Sequence, residues 1–247
     1  MNRVFVCGDT HGGQAHDAKK LTTKKWKESK TLDSNDFLII AGDFGFIWNK
    51  DRPSPEELWW YKWFVDRPFT TLFVDGNHEN FDRINALSIE QKFGGEVGIL
   101  IPNNIYHLKR GEIYTIAGMK FFTFGGGTSI DKHNRTPFVS WWPQEEPKHF
   151  EYKFAYKNLE NNNWKVDYVI THDCPESTYN QMEFPKYETY GPTQLQKFLD
   201  DIKSKLSYKE WFFGHYHEDV NYPDKLTVLY DKIKEVFQDG HSENSYP

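Results

Sequence analysis

Seven side chains of metal-ligating type recur along this sequence, five of them next to a glycine. Asp9 and His11 lie in Gly8-Asp9-Thr10-His11-Gly12, Asp43 follows Gly42, and Asn77 opens Asn77-His78-Glu79 after Gly76. His172 precedes Asp173, and His215 and His217 complete Gly214-His215-Tyr216-His217. One divalent cation at a catalytic site takes about three or four protein ligands. Seven donors are too many for one ion, and two ions sharing a bridging carboxylate would use the set completely. Hard oxygens mixed with imidazoles suit Mn, Fe or Zn better than Ca or Mg. Asp9/His11 and His215/His217 are alternating pairs, so in extended chain each pair points one way. Neighbouring glycines let the backbone turn sharply and leave room for ions and substrate. Two cations roughly 3.5–4 Å apart serve in-line displacement at phosphorus or hydrolysis of a carbonyl, by activating a bridging water and neutralising growing charge. His78 is surplus to the coordination count. Beside Asn77 it is a natural general acid for a leaving alkoxide, or a donor to the transition state.

The elements that must position these groups follow from short apolar runs. Strands are predicted over residues 3–7, 37–41, 71–75, 120–124, 166–171, 210–213 and 226–230. Ser54-Pro55-Glu56-Glu57 supplies an N-cap, a first-turn proline and a capping-box glutamate ahead of a helix over 58–65. Thr193-Gln194-Leu195-Gln196 caps a second helix, in which Leu195, Phe198, Leu199, Ile202 and Leu206 share one face. The tail from Asp219 reads as a closing strand, an amphipathic helical piece over 229–237 and a frayed end. Apolar strands alternating with helices imply a layered α/β protein with a largely buried sheet. Five of the predicted strands run straight into the Asp/His/Asn/Gly clusters. Ligands bind at the carboxyl ends of strands in open α/β sheets, so those ends would converge on one site.

Composition sets several classes aside. The 247 residues, with 38% hydrophobic and 27% charged, suit a folded chain with a real core. The longest apolar run, 37–41, is far too short to span a bilayer, and the N-terminus is too brief for a signal peptide. Two cysteines, Cys7 and Cys174, make no disulfide framework, which points to a reducing, cytoplasmic setting without a membrane partner. A net charge of −6 argues against extended duplex DNA as a partner and favours small substrates or short single strands; with the ligand set, the expected partner is a small phosphorylated substrate or nucleotide. Aromatic residues reach 17%, enough to bury much area or to line a cleft. No feature identifies an oligomeric state.

The series Asp9-x-His11, Gly42-Asp43, Gly76-Asn77-His78-Glu79, His172 and Gly214-His215-x-His217 resembles the calcineurin-like metallophosphoesterase superfamily, in order and spacing, from residue 4 to residue 217. The resemblance implies a single domain over 1–247 with the metallo-dependent phosphatase fold, a four-layer α/β/β/α sandwich of two mixed β-sheets. It implies one cation held by Asp9, His11, Asp43 and His217, and a second by Asp43, Asn77, His172 and His215, with Asp43 bridging. His78 then matches the family's catalytic histidine. The implied activity is hydrolysis of phosphate mono- or diesters by in-line attack of a metal-bridging hydroxide, with two divalent ions, Mn first and Fe or Zn as alternatives. Asn77 and the ions would hold phosphoryl oxygens. The second motif departs from the protein Ser/Thr phosphatases: it continues as Phe44-Gly45-Phe46-Ile47-Trp48, without their phosphate-holding arginine. The carboxylate partner of His78 stays open between Glu79 and Asp51. The segments 125–133 and 141–147 resemble a bacterial and phage-type branch of the superfamily.

Plainer readings cover other residues. His16, His107, His149 and His241 read as surface or satisfied polar histidines, and Cys7 and Cys174 as small buried hydrophobes. Trp59, Trp60 and Trp63 on the capped helix read as core or as a contact face. In the 131–142 stretch, Lys132, His133 or Arg135 could grip a phosphate and a tryptophan could stack on a base. The alternative there is a structural loop over packed tryptophans. Arg135 is the substrate-binding candidate. A nuclease or nucleotide phosphodiesterase would use the same ligands. A non-catalytic scaffold would need neither the full ligand set nor His78, and the His-x-His-x-Asp-His cluster of metallo-β-lactamase-type hydrolases is absent.

Overall fold

The computed structural model describes residues 2–182 and 192–237, apart from the side chains of 13–16. Its strands are β1 (Val4–Cys7), β2 (Phe37–Ala41), β3 (Thr70–Val74), β4 (Ser88–Lys92), β5 (Gly95–Ile101), β6 (Ile105–Leu108), β7 (Ile113–Ile116), β8 (Met119–Phe124), β9 (Tyr168–Thr171), β10 (Glu210–Phe213), β11 (Val220–Tyr222), β12 (Leu226–Val228) and β13 (Lys234–Val236). The helices are α1 (Pro55–Val65), α2 (Phe81–Asn85), α3 (His149–Asn161), α4 (Glu176–Tyr179) and α5 (Gln194–Lys205). A seven-stranded sheet runs β13-β1-β2-β3-β6-β5-β4 and a six-stranded sheet runs β11-β12-β10-β9-β8-β7. In the first, β1, β2, β3 and β6 are parallel, β13 and β5 pair antiparallel with β1 and β6, and β4 pairs antiparallel with β5. In the second, β8, β9, β10 and β12 are parallel, with β7 and β11 antiparallel at the edges. Both sheets are mixed, as expected.

The two sheets pack face to face. Val4, Val6, Ile39 and Leu72 of the first meet Phe121, Tyr168, Ile170 and Phe212 of the second in one buried cluster. Because strand side chains alternate, Phe5, Cys7, Leu38 and Ile40 face outward, where Tyr61 and Phe64 of α1 cover them. On the other outer face, Phe122, Phe124 and Trp211 meet Ala155 and Leu159 of α3 and Leu195, Phe198 and Ile202 of α5. The layers are therefore helix, sheet, sheet, helix. Burial of both faces of both sheets explains why the parallel strands read as continuous apolar runs. Ser54 and Thr193 cap α1 and α5 with complete capping boxes.

One expectation is overturned at the tail. Residues 234–236 form β13, antiparallel to β1, where a helical piece was expected, and Arg3 pairs with Glu235 at 2.7 Å across the two strands. The stretch past 237, His241 and the side chain of His16 lie outside the described residues. His107 is buried against Asp75, His149 is exposed at the start of α3, and both cysteines are buried free thiols. Trp59 stands out from α1, 58% exposed, while Trp142 is buried. No helix among the described residues is long and apolar enough to cross a membrane.

Candidate metal centre

Each of the seven candidate donors leaves a strand at its carboxyl end. Asp9 and His11 follow β1, Asp43 follows β2, Asn77 follows β3, His172 follows β9, and His215 and His217 follow β10. The face-to-face packing brings these ends together. Carboxylate and imidazole atoms fall into three groups, each within 4.8 Å: Asp9 with His11 and His217, Asp9 with Asp43 and His172, and His11 with Asp43 and His78. The Asn77 amide oxygen lies 3.0 Å from His172 Nε2, and the His215 ring centroid is 4.8 Å from that of His172. All seven are thus in one cluster, together with His78.

Convergence does not come from strand alternation. Asp9, His11, Asp43, His215 and His217 have φ of 27, 43, 47, 71 and 53°, so the chain is left-handed at Asp43 and at both alternating pairs, where extended backbone was expected. Such conformations cost side-chain-bearing residues energy and concentrate at functional sites. Glycine supplies the clearance. A Cβ on Gly42, itself at φ +85°, would lie 2.1 Å from His172 Nδ1, and one on Gly76 would lie 2.1 Å from Asp43 Oδ1.

Residues behind the donors fix their directions. Asp17 Oδ2 pairs with His11 Nδ1 at 2.8 Å and Asp17 Oδ1 accepts from the Tyr230 hydroxyl at 2.6 Å. His172 Nδ1 bonds the Ala41 carbonyl at 3.0 Å, which turns Nε2 toward the cluster. Buried Lys20 donates to the Gly8 and Asp9 carbonyls, each at 2.7 Å, and to that of Tyr230. The His215 amide donates to both Asp9 oxygens at 3.1 Å, and the His78 amide to Asp43 Oδ1 at 2.8 Å. Asp17, Lys20 and Tyr230 carry no motif, so the sequence did not mark them; Asp17 sits six residues past His11.

Electrostatics follow from burying two carboxylates together. Burial and the neighbouring Asp43 push Asp9 upward. Burial would also raise Asp43, but His172, His78 and His11 hold it well below the usual carboxylate range. His11 is lifted to about 9, burial being overcome by its hydrogen bond to Asp43. Burial lowers His172 and His78 to about 4, against the opposing pull of Asp43; His11 lowers both further, and Arg135 adds to the effect on His78. Buried oxygens in mutual repulsion beside neutral imidazoles suit divalent cations.

Around His78 the structure settles an open point. Glu79 is buried but turned away: its Oε1 accepts from the Phe44 amide at 2.8 Å and its Oε2 from the Gly45 amide at 3.2 Å. Asp51 is exposed. Among the described residues no carboxylate side chain hydrogen-bonds the His78 ring. Arg135 lies there instead, with Nη2 3.2 Å from Nε2 and Nη1 3.5 Å from Nδ1, and is itself held by Asp131 at 2.8 Å. The Trp48 ring stacks near His78 at 5.9 Å. In the 131–142 loop Trp142 is buried and donates to Asp82 at 3.0 Å, as a structural loop over packed tryptophans requires, while Arg135 lies beside His78. A cavity of about 430 Å³ opens over the cluster, lined by Asp43, Asn77, His78, Arg135, His215 and His217, and also by Ile130, Tyr179 and Gln196.

A model of the calcineurin-like phosphoesterase family matches residues 2–219. No curated protein matches the chain. Among solved structures the chain is similar to a 5'-nucleotidase from Candida albicans SC5314, at 17% identity and a TM-score of 0.41, over 92% of this chain and 44% of that one. It thus spans less than half the length of that protein.

Proposed function

The chain belongs to the calcineurin-like phosphoesterase family, and from that premise we propose that it hydrolyses a small phosphate mono- or diester at two divalent cations held by the seven donors, as one catalytic domain. The observation that carries this reading is the placement of Asp43. Its Oδ2 lies 3.0 Å from His11 Nε2 and its Oδ1 3.3 Å from His172 Nε2, so each carboxylate oxygen faces a different imidazole. A carboxylate so placed would serve both groups of donors at once. Asp9, His11 and His217 would complete one side, and Asn77, His172 and His215 the other. Manganese suits this donor set, as do iron and zinc. When bound, the cations would supply charge neutralisation at the phosphoryl group and an activated water.

The chain's own residues do the rest. Neutral His78 would present an N–H to the leaving oxygen, a contribution of about 10²–10⁴-fold in rate for a positioned proton donor. Arg135 would move from His78 onto a phosphoryl oxygen, a charge-assisted contact that replaces the arginine missing after Asp43. Among the described residues one Asn77 N–H is donated to Ser129, and the other would serve the same group. The cavity volume of about 430 Å³ suits a small ester or a nucleotide rather than a length of duplex.

The test is hydrolysis of a chromogenic phosphodiester against its monoester by Mn²⁺-loaded protein, with His78→Ala as control. Cation-dependent turnover that falls strongly in the variant, with cation content intact, is expected. The preferred ester separates a nuclease or nucleotide phosphodiesterase from a phosphomonoesterase. Full activity in the variant would remove His78 from its role, and a folded chain that binds no cation would return the scaffold reading.

A further inference from the structure

Two buried side chains outside the donor set, Ser129 and Glu145, continue a directed chain from Asn77. Asn77 Nδ2 donates to Ser129 Oγ at 3.1 Å, Ser129 Oγ donates to Glu145 Oε2 at 2.6 Å, and the Ser129 amide donates to Glu145 Oε1 at 2.8 Å. Asn77, Ser129 and Glu145 are 5, 2 and 0% exposed, so water does not compete for these bonds. The far end is fixed by backbone contacts: the Glu145 carbonyl accepts from Arg110 Nη2 and from the Gly127 amide, both at 3.3 Å.

From this arrangement we infer that Ser129 and Glu145 are positioning residues that set which end of the Asn77 amide faces the cations. The inference rests on the two-cation reading above. A carboxylate only accepts, and a serine hydroxyl has a single hydrogen. Ionised, Glu145 takes that hydrogen, so Ser129 shows Asn77 only a lone pair. Only the NH₂ end of the amide can meet a lone pair. Oδ1 is thereby turned to the other side, where it lies 3.0 Å from His172 Nε2. An asparagine ligand has a right and a wrong orientation, whereas an aspartate has none. The relay supplies the orientation that the residue type leaves open.

The isosteric variant Glu145→Gln reverses the relay. The Ser129 amide still requires an oxygen at Oε1, so the new NH₂ meets Ser129 Oγ and the hydroxyl hydrogen turns toward residue 77. In titration calorimetry with Mn²⁺ at pH 8, wild type should bind two cations, and Glu145→Gln should lose ten- to a hundredfold affinity at one of them, the usual scale for an outer-shell ligand partner. Ser129→Ala should lose affinity at the same site. Adding Asn77→Asp should restore it in the Glu145→Gln background, because either aspartate oxygen can face the cation while the other accepts from Ser129. In the wild-type background Asn77→Asp should weaken binding, its second oxygen meeting the Ser129 lone pair. This reversal of sign is one that a merely structural role would not produce. Wild-type affinity for both cations in Glu145→Gln and Ser129→Ala, or Asn77→Asp acting alike in both backgrounds, overturns the relay alone. A wild-type chain that binds no cation overturns the two-cation reading and the relay with it.

Discussion

Asp17 holds His11 from behind: one carboxylate oxygen lies 2.8 Å from His11 Nδ1 while the other accepts from Tyr230 at 2.6 Å. The contact fixes the imidazole tautomer and leaves Nε2 toward Asp43, 3.0 Å away. Asp17→Asn should therefore cost about 10–100-fold in affinity for one cation. Competition with a metallochromic indicator measures it, and an unchanged affinity would leave Asp17 with a packing role only.

Arg110 is the buried anchor of the Asn77 loop. Its Nε and Nη2 donate to Asp75 Oδ2 at 2.9 and 2.5 Å, and Nη2 also bonds the Gln144 carbonyl at 3.0 Å. Burial would raise Asp75, but Arg110 and His107 hold it well below the usual carboxylate range. Arg110→Met strands that charge and should lower stability by ~3–5 kcal/mol, read as a fall in the urea midpoint.

Stability should also depend on pH through Glu145. Burial raises its carboxyl from 4.5 to about 7, against the Ser129 hydrogen bonds. The folded state thus holds the proton over a window where the unfolded chain has released it. The contribution is complete below pH 4.5 and is lost as the pH rises to about 7. Glu145→Gln cannot titrate, so the wild-type-minus-variant stability should decline over that window by on the order of 3 kcal/mol. Parallel curves in urea melts at stepped pH would refute it.

Gly42 sits against His172 in a left-handed conformation. Gly42→Ala should displace the His172 ring, cost about 1–3 kcal/mol in backbone strain alone, and abolish cation-dependent activity. Retained activity would show that the ring can move aside without loss.

Much of this was legible in the sequence because parallel strands covered on both faces read as apolar runs, as 37–41 does. The antiparallel strands were harder. Ser88–Lys92 is largely exposed and polar, and Lys234–Val236 is three residues long, too short to show a period, so it was read as part of a helix. The seven candidate donors stand out by residue type and place at strand ends, and the fold gathers them. The contacts of Asp17, Ser129 and Glu145 carry no such signal because they come from what the fold lays beside them. Glu79 misled for the opposite reason: beside His78 in sequence, it serves the Phe44 and Gly45 amides.

The five left-handed donor residues have a consequence for any attempt to harden this protein. Each is a position where glycine would relax the backbone, at a gain of ~1–3 kcal/mol where the side chain makes no other contribution. Laboratory evolution for heat resistance, run in a chelator and without an activity screen, would drift toward glycine at those of these positions whose side chains satisfy no buried partner. It would return a sturdier chain from which the chemistry had been bred out.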